Sequence, residues 1–357
     1  MDSGLRVSVH ASLGTAEAPS RAAEEAARVW SADERAELGH DDFAYSAREL
    51  AATYADQSRQ RRVMVLAHEG DRCVGLASVE LPLTDNQHMI SLEFRLDPQC
   101  EAATLLDALW VGVLEAGAGE SRDTVVSWTP SSRLVNDGLR PKTGAGLLRR
   151  TDANEWFVAR GFELEQVEVA STLQVTEALG RAAELETTAA ASGEGYELIS
   201  WLGPTPPELL DSMAAQRAAM STDVPLGEIA MEPEIWDAAR VQGDESVELA
   251  MGRLMVWTIA VERSSGEVVA HTLLKCPDLD RPEVAYQEDT LVRADHRGHR
   301  LGMRVKAANL RQLAAERPGV RRIHTWNADE NAWMLAINRD LGFTATSTMG
   351  CWQLVRR

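Results

Sequence analysis

Two stretches of the chain alternate apolar and polar positions around a tight turn: Arg62–Glu80, turning at Gly70-Asp71, and Leu254–Leu274, turning at Ser265-Gly266. Side chains of a strand point to opposite faces with period two, so each stretch predicts a β-hairpin. A second pattern follows each hairpin: a helix-like segment, a Gly-Phe pair and a run of strand formers. The first copy runs from Asn154 to Gly161-Phe162 and on through Glu163–Val175; the second runs from Asn331 to Gly342-Phe343 and on through Thr344–Val355. Gly161 and Gly342 lie 181 residues apart, whereas Val74 and Val269 lie 195 apart, which puts extra length in the first copy, in the Gly/Pro/Ser-rich stretch 129–148. The chain reads as one fold duplicated.

In the second copy the pattern predicts a strand at Tyr196–Trp201, helices at Pro206–Met220 and Pro233–Val247, the hairpin, and a strand at Glu283–Val292. A helix at Leu301–Glu316, a strand at Arg322–Trp326, a helix at Asp329–Asp340 and terminal strands follow. Meander strands followed by a βαβ unit imply a mixed α/β fold, its sheet mostly antiparallel with one parallel pair. An Ala/Glu-rich segment running into small residues marks a division: 1–178 as a first domain, 179–194 as linker and 195–357 as a second domain.

With 357 residues, two domains are also what length suggests. The longest apolar runs, Val63–Ala67 and Leu254–Ala260, fall far short of the ~20 residues a membrane helix needs, and the N-terminus has no export-type apolar region. A soluble, cytoplasmic protein is expected, with no membrane partner. The net charge of −19 argues against nucleic acid and favours cationic small molecules. Cys73, Cys100, Cys276 and Cys351 have neither disulfide-framework nor zinc spacing, so no metal is expected and they read as small core residues.

The chemistry concentrates in Thr290–Lys306, where an apolar strand ends, a basic loop with Gly298 and Gly302 follows, and a helix begins. A helix N-terminus presents unpaired N–H groups and about half a positive charge, and glycines let an anion approach the backbone, so this segment suits a phosphate. Between Arg293 and Arg322 stand nine bases against two acids, an island in an acidic chain that points to one multiply phosphorylated ligand. His296 and His299 are within reach of such a ligand; His271 and His324 read as strand residues. Of the tryptophans, Trp236, Trp257, Trp326, Trp333 and Trp352 are expected in a core or a pocket wall.

Arg297-Gly-His-Arg-Leu-Gly302 resembles the pyrophosphate loop of the GNAT superfamily of N-acetyltransferases, although Arg300 stands where that family usually has glycine. The strand at Arg322–Trp326, Asn327, Asn331 and the helix ending Leu341-Gly-Phe343 resemble the family's later motif. The resemblance covers about residues 196–357; the first half follows the fold in outline, and the whole is similar to tandem GNAT proteins of mycothiol synthase-like layout. It implies acetyl-CoA as co-substrate, its pyrophosphate held by Arg297, Gly298, His299, Arg300, Leu301 and Gly302, and its arm lying along Leu291 and Val292. The amide of this strand end would stabilise the thioester oxygen. Asn331 and Asn338, seven apart, would both face that arm.

Transfer of an acyl group to an amine needs a base, because an alkyl ammonium with a pKa of about 10 must first lose a proton. Strand alternation puts Tyr286, Glu288 and Thr290 on one face and Gln287, Asp289 and Leu291 on the other. The resemblance implies that the Tyr286/Glu288 face carries the general base, so Glu288 is the expected base, Asp289 its substitute should a bulge invert the alternation. Where the family often has a tyrosine acid this chain has Asn338, so Tyr286 is the candidate replacement, unless the thiolate leaves unaided. The first half lacks the loop: Asp97-Pro-Gln-Cys-Glu-Ala-Ala-Thr104 has no glycine and two acids, so this half is expected to bind no acetyl-CoA and either to support the second half or to wall its cleft. The acidic stretch Met220–Glu234, with Asp223, Glu228, Glu232 and Glu234, lies where GNAT proteins build the acceptor site. The expectation is an N-acetyltransferase, active in its second half on a small cationic amine; Asn338 and the degenerate first half leave open an inert coenzyme-binding or regulatory protein of the same fold.

Overall fold

The computed structural model describes residues 4–118, 120–132, 134–190, 194–223, 225 and 227–356. In chain order the elements are β1 (Leu5–His10), α1 (Arg21–Leu38), α2 (Ala47–Ala55), β2 (Gln60–Glu69), β3 (Arg72–Pro82), β4 (Met89–Leu96), α3 (Ala102–Ala116) and β5 (Thr124–Ser131). Next come α4 (Asp152–Ala159), β6 (Glu163–Gln174), α5 (Val175–Ala190), β7 (Tyr196–Leu202), α6 (Leu210–Asp223), α7 (Ala238–Ala250), β8 (Leu254–Glu262) and β9 (Val268–Cys276). The chain ends with β10 (Val284–Val292), α8 (Leu301–Glu316), β11 (Arg322–Ala328), α9 (Ala332–Leu341) and β12 (Thr344–Val355). No described helix is long and apolar enough to cross a membrane.

The expected hairpins are β2–β3 and β8–β9, both antiparallel, and the copies do repeat their order of elements. The period-two pattern works as a partition between two helical layers. On β2, Val63, Val65 and Ala67 join the core under α3, while Met64 and Leu66 join the core under α1 and α2. On β8, Met255, Trp257 and Ile259 pack with Met213 of α6, while Val256 packs with α8. Each strand buries both faces because the sheet is sandwiched between helices, which is why these strands read as nearly continuous apolar runs.

All strands form one sheet, in the order β1-β2-β3-β4-β5-β12-β6-β11-β10-β9-β8-β7. The closing strands are exchanged. β12, from the end of the chain, lies antiparallel to β5 of the first half, and β6, from the first half, lies antiparallel to β11 of the second. β6 and β12 pair with each other at the centre. The sheet therefore does not divide at the boundary expected from composition, since residues 163–174 complete the second half and 344–355 complete the first. Residues 179–190 of the expected linker belong to α5, whose Ala178 and Ala182 are buried against α8, while 191–193 lie outside the described residues. An Ala-rich helix with a small-residue face looks like linker composition, but small residues are also what lets two helices pack closely.

In each half one parallel pair holds only briefly. Met89–Leu92 of β4 pairs with Thr124–Ser127 of β5, and Val284–Tyr286 of β10 pairs with Arg322–His324 of β11. Past these residues the strands diverge, leaving a wedge between β10 and β11 that opens towards the N-terminus of α8.

Candidate active site

The loop before α8 is built to leave its amides open. Gly298 has φ 87°, Arg300 has φ 56°, and Arg300, the N-cap of α8, makes no side-chain hydrogen bond to the helix. The first amides of α8 then have no intrahelical acceptor and point into the loop. A methyl group added at Gly302 would lie 3.2 Å from Cδ1 of Ile337 on α9 and 3.6 Å from Cγ2 of Val292, so this glycine lets α8 start close against α9 and the end of β10. Asn338 is buried at the wedge; its Nδ2 donates to Oδ1 of Asn327 at 2.7 Å, and its own Oδ1 has no partner among the described residues. An uncapped helix start behind a glycine loop and an orphaned amide oxygen fit a ligand that carries a diphosphate at one end and amide N–H groups along its arm. Leu291 and Val292 pair only with His271 and Ala270 of β9, leaving the other edge of β10 open in the wedge.

Several expectations about this region need correction. Asn331 is the N-cap of α9, with Oδ1 accepting from the amide of Met334 at 3.2 Å, so its side-chain oxygen is engaged by its own helix, unlike that of Asn338. The basic island is largely neutralised by acids distant in sequence: Arg297 pairs with Asp223 at 3.0 Å, Arg317 with Asp278 at 2.9 Å, Arg311 with Glu186, and Arg322 with Asp42 at 2.6 Å. The surplus seen in that segment is therefore no measure of the local field; the backbone geometry is the stronger signal. His296 hydrogen-bonds through Nδ1 with the hydroxyl of Tyr196 at 3.0 Å, and His299 leans on the same ring, with centroids 5.4 Å apart. His271 and His324 are buried strand residues, and burial pulls His271 down to about 4.

The first half shows the same site closed. Glu101 is the N-cap of α3 and its carboxylate accepts from the amides of Ala103 and Thr104 at 3.0 and 2.8 Å, occupying the position an anion would take. The wedge between β4 and β5 is filled by rings: Phe94 contacts Trp156 and Phe157, and Phe157 stacks on Trp352 with centroids 5.3 Å apart. Counted back from the Gly-Phe pairs, Trp156 and Phe157 occupy the positions that Ile337 and Asn338 occupy in the second half. Large rings in one copy thus stand where the other has an isoleucine and an asparagine.

Along β10 the register slips between Gln287 and Thr290, so Glu288 and Asp289 together oppose one residue of β9. This is a β-bulge, and it re-aims the following side chains. Thr290 consequently shares a face with Gln287, and both hydrogen-bond to Thr272, at 2.8 and 3.0 Å. Asp289 is engaged by Arg217 at 2.6 Å; burial works to raise its pKa, but Arg217, His271 and Lys275 together hold it below the usual range. It is a poor base. Tyr286, expected as the substitute acid, donates its hydroxyl hydrogen to the carbonyl of Asp42 in the first half, and burial holds its phenol well above its ordinary range. That proton is committed elsewhere. Glu288 differs from both: among the described residues no ion pair or hydrogen bond reaches its carboxylate, and it lines a chamber of about 210 Å³.

The chamber lies between the halves, across the exchanged strands. Its walls include Glu93 and Arg95 of β4, Tyr286 and Glu288 of β10, Trp326 of β11, and Ser347, Thr348 and Met349 of β12. Trp30 and Glu34 of α1, with Phe43 and Tyr45 of the following loop, close it from the first half. A clamp holds that loop down: Asp42 accepts two hydrogen bonds from Arg322, both at 2.6 Å, and is 2.8 Å from Nε2 of His324. Phe43 packs edge-on against His324 and Trp326, with centroids 4.8 and 4.7 Å away.

The sequence reading missed Trp30, Glu34, Phe43, Tyr45, Glu93 and Arg95. The only signal would have been Glu93 itself, which lies 195 residues before Glu288, the same offset as the hairpins. The acidic stretch Met220–Glu234, open to reading as an amine-receiving segment or as a solvated loop, does not line the chamber. Asp223 holds Arg297; Glu232 accepts from the amide of Asn86 at 3.2 Å; Glu234 holds Arg240 at 2.9 Å; and Glu228 is 3.6 Å from Lys142. Val224 and Leu226 of that stretch lie outside the described residues. Of the tryptophans, Trp257 and Trp352 are core, Trp326 lines the chamber, and Trp333 is 86 % exposed.

No family model matches the chain, and no curated protein matches it. Solved structures do. A tandem GNAT protein from the clavulanic acid biosynthesis pathway superposes with TM-score 0.74 at 19% identity, covering 98% of both chains. A GCN5-related N-acetyltransferase from Sphaerobacter thermophilus superposes with TM-score 0.60 at 15% identity, covering 99% of this chain and 96% of that one. With the duplicated order of elements, the two splayed parallel pairs and these superpositions over nearly the whole length, the chain has the tandem GNAT fold.

Proposed function

We propose that this protein is an acetyl-CoA-dependent N-acetyltransferase whose second half holds the coenzyme and whose acceptor, a small cationic amine, occupies the chamber between the halves. The observation that carries this reading is the contrast between two equivalent helix starts, α3 capped by its own Glu101 and α8 left uncapped behind a glycine loop. When bound, acetyl-CoA supplies an acyl thioester whose carbonyl carbon exchanges its bond to sulfur for one to the amine nitrogen, giving an acetamide, a free thiol and one proton.

The residues present divide the remaining tasks. The amides at the uncapped start of α8, at Arg300, Leu301 and Gly302, hold the diphosphate, with the Arg300 side chain as nearby charge. Asn338 receives an amide N–H of the arm on its orphaned Oδ1. Glu288 takes a proton from the incoming ammonium, since its carboxylate is the one in the chamber wall without a protein partner. With Tyr286 engaged and an asparagine at 338, no side chain is assigned to protonate the thiolate, which at a pKa of about 8.5 is a tolerable leaving group.

The test separates binding from chemistry. Coenzyme A should raise the melting temperature of the wild type, and Gly302→Ala, which crowds the helix start against Ile337, should reduce the shift, the coenzyme-free melting temperature and circular dichroism of the variant showing whether it folds. Glu288→Gln should keep the shift and lose about a hundredfold or more in turnover of amines. Coenzyme binding without turnover of any amine would instead indicate an inert protein of this fold, and no shift at millimolar coenzyme A would end both readings.

A further inference from the structure

The chamber has a second carboxylate at the place in the first half that Glu288 occupies in the second. Met89 opens the parallel pair of one half and Val284 that of the other; Glu93 and Glu288 each follow four residues later, and both line the chamber. Exchange of the closing strands turns the two wedges towards one shared space, so what would be the base of an active first half becomes the far wall of the second half's acceptor site.

The surroundings of Glu93 state which charge that wall receives. One guanidinium, Arg95, is shared by two carboxylates: its Nη2 donates to Glu93 at 2.9 Å and its Nε lies 3.8 Å from Asp33. Its other face is covered by the Trp30 ring, 4.7 Å from the centroid. The other arginine of the wall, Arg253, is held by Glu49 at 2.8 Å with Glu248 3.8 Å away, and sits over the rings of Tyr45 and Tyr286. Each guanidinium is outnumbered by the carboxylates around it, Arg95 by Glu93 and Asp33 and Arg253 by Glu49 and Glu248, so the wall favours a cation over an anion. Thr348, 5 % exposed, lines the same chamber, and its hydroxyl has no partner among the described residues. A carboxylate and a hydroxyl oxygen lining one chamber suit an ammonium, which brings only donors. Between the two ends run the faces of Phe43, Tyr45 and Trp326, apolar walls for a methylene chain. The volume exceeds the about 150 Å³ of an engineered cavity that admits benzene, so a chain of a few carbons with a nitrogen at each end is accommodated.

We propose that the acceptor is a short aliphatic diamine, one nitrogen at Glu288 and the second, as ammonium, held by the first half at Glu93 and Thr348. This rests on the acetyltransferase reading above and adds the acceptor's chemistry to it.

The experiment compares three amines of equal length that differ only at the far end, using the full-length protein and acetyl-CoA: putrescine, butylamine and γ-aminobutyrate. The expected order of kcat/KM is putrescine above butylamine by at least about tenfold, corresponding to about 1.4 kcal/mol, with γ-aminobutyrate lowest. Glu93→Gln should bring the putrescine-to-butylamine ratio near one, and the wild-type comparison stands by itself if that variant does not fold. Equal turnover of putrescine and butylamine, or γ-aminobutyrate as good as putrescine, overturns the diamine assignment and leaves the acetyltransferase reading in place. A parallel measurement without coenzyme distinguishes the remaining case. Putrescine raising the melting temperature more than butylamine, with no amine acetylated, supports the diamine site and sinks the enzymatic reading; no difference in that shift together with no turnover sinks both.

Discussion

Glu34 illustrates how a side chain's chemistry follows from its surroundings. Its carboxyl is buried, receives N–H donors from Trp30 at 2.9 Å and from the amide of Phe43 at 3.1 Å, and burial pushes its pKa up to about 8 from 4.5. Between those two values the folded chain binds a proton that the unfolded chain has lost, so stability falls as pH rises. Replacing Glu34 by Gln should flatten that fall, which has a limiting slope of about 1.4 kcal/mol per pH unit, when urea midpoints of the two proteins are compared from about pH 5 to 7. The window stops there because Lys306, buried over the ring of Phe343, has its amine pulled down to about 7 by burial and tilts stability the other way from pH 7 to 10.5. A variant whose stability declines as steeply as the wild type would show that Glu34 is ionised in the fold. None of this was visible in the sequence, where Glu34 is one acid among many in a polar-looking stretch. Glu288 was singled out because its strand leads directly into the glycine loop, on the face where the resembled family places its base.

Among the elements, the start of α8 is the informative one. Arg300 adopts the left-handed conformation that costs a residue with a Cβ roughly 1 kcal/mol, and it stands where the resembled family usually has glycine. Arg300→Gly should therefore raise unfolding stability by about 1 kcal/mol or somewhat less, allowing for glycine's greater freedom when unfolded, while weakening coenzyme binding through loss of a charge. A loss of stability on that substitution would mean that the side chain anchors the loop. Hairpins, the helix beginning at Leu301 and the Gly-Phe endings were legible because each is specified by neighbours in sequence: period two, a glycine turn, a helix stop. The bulge at Glu288-Asp289 was anticipated only as an option, since its cause lies in the register with β9. The exchange of β6 and β12 was not anticipated, because an alternating strand carries the same pattern whichever sheet edge it joins. The chamber's first-half wall went unread for the same reason, being assembled from α1, a loop and β4 around partners nearly two hundred residues away.

At the scale of the molecule, each half's sheet is completed by a strand from the other, and Asp42 reaches across to Arg322 and His324. Unfolding one half would strip a strand from its neighbour, so calorimetry should show a single transition with calorimetric and van't Hoff enthalpies in agreement. Two resolved transitions would mean that the shared strands contribute little to either half. The trade of strands also bears on descent. Once two copies of a gene have each surrendered their last segment to the other, a deletion that removes one copy cripples its sibling as well. The first copy, with Glu101 over its own helix start and rings between its strands, is then kept for the strand it lends, whatever becomes of its chemistry.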